Sequence, residues 1–145
     1  MRARRDIQLA SYRNHMSIEA RVMSEMIRRD ILPVAIAFSR SLAEALNQKR
    51  LAVPIPPTLP CLAETELLRQ VSEFTDALYQ RVGALDAALS EEERIEDDWQ
   101  ARAHFCRDHV HPAMGLAREC ADALERIVSK SAWPYPSLGH IINRV

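Results

Sequence analysis

Apolar residues recur at every third or fourth position along three long stretches of the chain, and this spacing constrains the fold more than any other feature. The period matches that of the α-helix, in which such residues share one face. No segment alternates with period two for long enough to predict a strand. We therefore predict an all-α fold. The stripes are Met23, Ile27, Ile31, Val34, Phe38, Leu42 and Ala45; Leu67, Val71, Phe74, Leu78, Val82, Leu85 and Leu89; and Trp99, Ala103, Cys106, Val110, Ala113, Ala117, Cys120, Leu124 and Ile127.

The length of 145 residues predicts one helical domain that covers residues 1–145. We expect a bundle of three long antiparallel helices, because each stripe needs apolar neighbours. Pro33 and Pro112 fall inside the first and third stripes and are expected to kink those helices, since proline lacks the N–H that would bond the carbonyl four residues earlier. The predicted helices span about 6–48, 64–89 and 92–129.

The segment between the first two helices is rich in proline. Residues 50–63 contain Pro54, Pro56, Pro57 and Pro60, which predicts a stiff extended connector. We expect its apolar residues to lie on the helices. Binding of this segment to an aromatic groove of another protein is the alternative.

Two local signals bound the third helix. Ser90 and Glu93 have capping-box spacing, so a new helix is expected to begin there or just after the acidic turn. Residues 131–145 are expected to form a short packed tail, with Trp133 and Tyr135 pinning it to the helices.

Charge is distributed unevenly along the chain, although its formal net charge is −1. Residues 1–50 carry a net charge of +5, whereas residues 64–98 carry −8. This pattern suits a basic helix packed beside an acidic one, and ordinary solvated helix surfaces are the other interpretation. Tyr12 is the lone aromatic residue among the N-terminal arginines, so we expect no nucleic acid as a partner.

The densest group of potential ligands lies in the sequence HFCRDHVHP. It contains His104, Cys106, Asp108, His109 and His111. His104 and Asp108 stand four residues apart, so a helix could present both to a metal, with His111 one turn further on. A metal site also needs ligands from a second element, and no other segment offers a matching cluster. We expect surface histidines, with a metal-binding helical bundle as the alternative.

The remaining candidates for chemistry are the cysteines and the acidic run EEERIEDD. Cys106 and Cys120 lie on an apolar stripe, where cysteine is usually an inert hydrophobe, and Cys61 has no histidine near it in sequence. The odd cysteine count argues against a disulfide framework and favours a reducing cytoplasm. The acidic run is expected to be solvated. We therefore predict no catalytic, cofactor-binding or metal-binding residue.

Neither a membrane span nor a leader is expected. No run of 18 apolar residues occurs, and the basic start MRARRDIQ leads into no apolar segment.

Two stretches carry a resemblance to a known family. SIEARVMSEMIRRDILPVAIAFSRSLAE has an IEAR-type helix followed by an ILPxAI-type turn of helix. RAHFCRDHVHPAMGLARECADALERIVSKSAWPYPSLGHII has a proline inside its last long helix, then a D-x-LE turn and W-P-x-P. Together they resemble the C-terminal helical region of type III glutamine synthetases, over most of residues 6–142.

The resemblance implies a part of an enzyme that joins glutamate and ammonia with ATP and a divalent metal. The catalytic portion of that family lies upstream and is missing from these residues, so no catalytic residue carries over to this chain. The resemblance therefore implies a non-catalytic domain that packs on the catalytic portion or on neighbouring subunits of a homo-oligomer. A free-standing helical module that binds other proteins is the alternative.

Overall fold

Three long helical stretches make up the part of the chain that the computed structural model describes, which is residues 2–57, 59–96 and 98–136. The first helix joins α1 (Arg2–Met26), a π-helical turn (Ile27–Ile31) and α2 (Leu32–Ala52). The second helix is α3 (Leu62–Arg94). The third helix joins α4 (Trp99–Phe105), a second π-helical turn (Cys106–Val110) and α5 (His111–Ile127). These described residues contain no strand, so the all-α prediction is confirmed.

The boundary between the second and third helices differs from the prediction. Ser90 does not begin a helix; it lies inside α3, and its hydroxyl donates to the backbone carbonyl four residues earlier at 2.9 Å. The second helix continues to Arg94, beyond its expected end near residue 89. Asp98 caps the third helix instead, since its carboxylate accepts from the backbone N–H groups two and three residues later at 3.1 and 3.0 Å.

A π-helical turn precedes each proline that lies inside a long helix. In the first, the N–H of Leu32 donates to the carbonyl of Ile27, and in the second the N–H of His111 donates to the carbonyl of Cys106. Both bonds span five residues rather than four, as is typical of π-bulges. The helix thus continues through a position where proline cannot donate.

The π-helical turn explains a shift in which residues of the first helix are buried. Such a turn inserts one residue and so rotates the residues that follow it relative to a regular helix, although Phe38 and Leu42 of the predicted stripe still pack against buried residues. Ala35 and Leu46 are accordingly buried, whereas Val34 and Ala45 of the predicted stripe are half-buried. The second stripe lies in a regular α-helix, and its Val71, Leu78, Val82, Leu85 and Leu89 are buried as predicted.

The second helix packs against both of the others. It runs antiparallel to the first helix, because the later residue Lys49 pairs with the earlier residue Glu64, whereas the earlier residue Arg21 pairs with the later residue Glu93. It is also antiparallel to the third helix. Arg102, at the start of the third helix, pairs with Glu92, and Arg81 donates to the backbone carbonyl of Leu116 in α5.

Two buried clusters form between the helices. The main core cluster contains Ile27, Ile31, Leu32, Ala35, Val71, Leu78, Val82, Ala117, Cys120, Leu124 and Val128. The second core cluster contains Met16, Ala20, Leu85, Leu89, Cys106, Val110 and Met114.

The start of the C-terminal tail packs as predicted. Trp133 and Tyr135 are half-buried against the main core cluster, and the Tyr135 hydroxyl donates to the carboxylate of Asp30. The predicted packing of residues 137–145 lies outside the described residues. In the described part of the chain, no helix is both long and apolar enough to cross a membrane.

Candidate functional site

The structure separates the histidine-rich cluster instead of assembling it. Cys106 is buried in the second π-helical turn, whereas His104, His109 and His111 are exposed. His109 stacks on Phe105, with ring centroids 4.4 Å apart. The histidines therefore occupy the solvated side of the third helix.

Asp108 is engaged by its neighbour. The Arg107 guanidinium donates to both of its carboxylate oxygens, at 2.7 and 3.1 Å, and this hydrogen bonding lowers the pKa of Asp108. Among the described residues, no group of three or more His, Cys, Asp and Glu side chains is arranged to hold a metal. The structure thus gives no support to a metal site built on His104, Asp108 and His111.

The cysteines have free thiols in different environments. Cys106 and Cys120 are buried, and burial raises the pKa of each thiol. A raised pKa keeps a thiol in its protonated and less nucleophilic form. Cys61 is half-buried in the connector.

A buried ion cluster joins all three helices near one end of the molecule. Glu92 of the second helix is fully buried, and its Oε1 accepts from Arg13 Nε of the first helix at 2.7 Å and from Arg102 Nε of the third at 2.9 Å. Glu92 Oε2 is buried and has no hydrogen-bond partner among the described residues. The Cys106 sulfur lies 3.8 Å from the Ser17 hydroxyl in the adjoining second core cluster.

This cluster corrects the expectation that the whole acidic run is solvated. Glu92 follows Leu85 and Leu89 at the same helical spacing, so it continues the apolar stripe of the second helix. This position in the stripe is the sequence signal for a buried ion pair, since a charged side chain on a buried stripe requires an oppositely charged partner on a neighbouring helix. Glu93, its neighbour, stays half in solvent.

The basic first helix and the acidic second helix face each other within this chain. Arg28 pairs with Asp86 at 2.7 Å, Ser24 donates to the same carboxylate, and Arg21 pairs with Glu93. These contacts favour the complementary-packing interpretation of the charge pattern. Because the pairs are partly exposed, they align the helices more than they stabilise them.

The proline-rich connector does not lie on the helices as expected. Leu51, Ile55 and Leu62 are 79%, 75% and 83% exposed, and Leu59 is 42% exposed. We call these four residues the connector tip. They lie where the first helix ends and the second begins, and exposed apolar side chains that stand close together commonly mark protein contacts.

A second apolar surface is a groove between the first and third helices. Its volume is about 510 Å³. Residues of α1, the first π-helical turn and α5 line it: Ile18, Glu19, Val22, Met23, Met26, Ile27, Ile31, Met114, Arg118 and Ala121. The groove could accommodate a row of apolar side chains. None of the residues that line it is a serine, threonine, cysteine or lysine that could act as a nucleophile.

Comparison with known proteins places these features in a family context. Residues 1–50 match the family model described as the glutamine synthetase C-terminal domain. The chain is 23% identical over 146 residues to a type-3 glutamine synthetase of Dictyostelium discoideum, covering 98% of this chain and 19% of that protein. It is 22% identical over 140 residues to a glutamine synthetase of Bacteroides fragilis (strain YCH46), covering 96% and 19%. No solved structure matches significantly.

The chain therefore spans about a fifth of the length of these curated relatives. The matches confirm the resemblance to the C-terminal domain of glutamine synthetases.

Proposed function

We propose that this glutamine synthetase C-terminal domain is a non-catalytic part of a type III enzyme. Its role is structural: it packs on the catalytic portion or on neighbouring subunits of a homo-oligomer. The name of the Dictyostelium relative supports the type, and the 19% share of that protein supports the idea of one domain within a longer enzyme. In this proposal, ATP, Mg²⁺ and the joining of glutamate to ammonia in the cytoplasm belong to the rest of that enzyme.

The connector tip is the observation that carries the packing role. Full burial of one large aliphatic side chain is favourable by about 1.5–3 kcal/mol. The tip leaves Leu51, Ile55 and Leu62 mostly in water, so a protein surface that covers them would gain several times that amount. The same surface would serve a free-standing interaction module, which is the second candidate function.

The proposal extends to the shape of the domain. The three helices act as one bundle, with a bend of the axis at each proline-bearing π-helical turn. Such bends would let a first helix of this length follow a curved neighbouring surface. Small-angle scattering of the chain would reveal a straight rod if the bends are absent.

Sedimentation of the full-length product of the gene tests the packing role. Leu62→Asp places a charge on the connector tip, where we expect it to lower the assembly size by disrupting the contact. Ile36→Asp is the matched control, because Ile36 is 59% exposed on the first helix and lies outside the tip. Helical content by circular dichroism should be equal in both.

Two results would contradict the proposal. Unchanged assembly of Leu62→Asp, with the parent fold intact, would exclude the tip as a packing surface. A gene that encodes no product longer than this chain would favour the interaction module.

A further inference from the structure

The apolar groove between the first and third helices has one wall from each of them. The two helices run in the same direction, because each is antiparallel to the second helix. Ile18 and Val22 belong to the first wall and are 61% and 49% exposed. Met114 and Ala121 belong to the second wall. Exposed apolar side chains that adjoin a groove of this kind commonly mark a contact with another protein.

Two opposite charges also line the groove, one on each wall. Glu19 belongs to the first helix and Arg118 to the third, and both residues are exposed. Within the described residues neither side chain has an ion-pair partner, whereas Arg21 and Glu119, close by on the same helices, both pair with the second helix. The groove therefore presents one negative and one positive charge to whatever covers it.

These two charges lie near opposite ends of the groove. The Ser17 hydroxyl of the first helix is 3.8 Å from the Cys106 sulfur of the third, so these residues stand at the same height in the bundle. Glu19 follows Ser17 by two residues, and Arg118 follows Cys106 by twelve. At a rise of about 1.5 Å per residue, Arg118 lies about 15 Å further along the common helix direction. The groove itself follows residues 18–31 of the first helix, which measure about 20 Å on the same scale.

This arrangement of charge is complementary to itself. In a two-fold symmetric dimer, the same surface of each copy forms both sides of the contact. With the two-fold axis across the middle of the groove and at right angles to the helices, Glu19 of each copy lies over Arg118 of the other. Two identical ion pairs then form. The exposed Ile18 and Val22 of each copy are at the same time covered by the apolar groove of the other.

We propose that two copies of this chain pair through the groove as an antiparallel, two-fold symmetric dimer. The two-fold axis passes midway between the two charges, where Val22 of one copy faces Met26 of the other. The dimer uses different residues from the connector tip. It does not rest on the proposed role in glutamine synthetase, because it concerns two copies of this chain alone.

Sedimentation equilibrium of the chain over a range of protein concentrations tests the dimer. Glu19→Arg places positive charges opposite each other, and Arg118→Glu places negative charges opposite each other. Each single change should raise the dissociation constant of the dimer by about tenfold or more, because it acts at both symmetric contacts. The double variant restores opposite charges and should restore most of the dimer. Glu44→Arg is the matched control, since Glu44 is an exposed residue of the first helix outside the groove.

Methyl NMR of the chain labelled at methionine locates the contact. Met26 and Met114 line the groove, whereas Met16 lies in the second core cluster outside it and serves as an internal reference. We expect the Met26 and Met114 methyl signals of the parent chain to shift as the protein concentration rises. The same signals should stay in place in Glu19→Arg, and the Met16 signal should stay in place in both.

Three results would overturn the proposal. A parent chain that stays monomeric at all concentrations would leave the groove to another segment or partner. A dimer that persists unchanged in both single variants would place the contact on a different surface. Loss of the dimer in Leu62→Asp, with helical content unchanged in circular dichroism, would place the contact at the connector tip. We expect Leu62→Asp to leave this dimer intact, which separates it from the packing role proposed for the tip.

Discussion

Among substitutions of single charged residues, we expect removal of the buried carboxylate of Glu92 to lower the free energy of unfolding most. Glu92→Ala deletes the shared acceptor of two charge-assisted hydrogen bonds, from Arg13 at 2.7 Å and from Arg102 at 2.9 Å. Breaking a buried ion pair by removing one partner typically costs about 3–5 kcal/mol. Both arginine side chains keep about a quarter of their surface in water, at 25% and 21%, so they can partly rehydrate. We therefore expect the lower end, about 3 kcal/mol.

Urea unfolding followed by circular dichroism measures this loss. With a slope of about 2 kcal/mol per molar urea, the midpoint should fall by about 1.5 M. Glu93→Ala is the matched control, because Glu93 is 52% exposed and its pairing with Arg21 is a surface contact worth under about 1 kcal/mol. Equal losses in the two variants would refute the assignment of Glu92 as the buried centre of the cluster.

Three further predictions concern the core, the tail and the thiols. Leu78→Ala should lower the free energy of unfolding by about 3 kcal/mol, measured in urea, because Leu78 is fully buried in the main core cluster. Burial and the hydrogen bond to the Asp30 carboxylate raise the pKa of Tyr135 to about 12. The parent chain should therefore lose stability relative to Tyr135→Phe as the pH rises from about 10 towards 12, which thermal melts measure. Below pH 10 the two melting curves should respond to pH alike. A thiol reagent at pH 8 should modify Cys61 in seconds to minutes, while Cys106 and Cys120 react only as fast as the fold opens, which mass spectrometry of the labelled chain checks.

The helical architecture follows from sequence because apolar spacing is a local property of each stretch. Val71, Leu78 and Leu85 are buried as their stripe predicts, since the second helix is regular throughout. The first helix shows the limit of that reasoning. Spacing alone does not show that a π-helical turn precedes Pro33, so it places Val34 on the core face where Ala35 lies.

The polar contacts could be predicted only in part, because they depend on which helix faces which. The charge imbalance between residues 1–50 and 64–98 favoured their packing, but not the pairing of Arg28 with Asp86. The acidic run as a whole predicts a solvated Glu92, whereas its position continues a buried stripe and its side chain is buried. The exposure of Ile55 likewise depends on how the connector leaves the helices, and no local pattern encodes that path.

The most direct test of the central claim is an assay of ATP-dependent glutamine formation from glutamate and ammonia. It compares this chain alone with the full-length product of its gene. If the chain is an accessory domain of such an enzyme, as we propose, the full-length product should form glutamine and the chain alone should form none. Glutamine formation by the chain alone would contradict the claim that its role is structural.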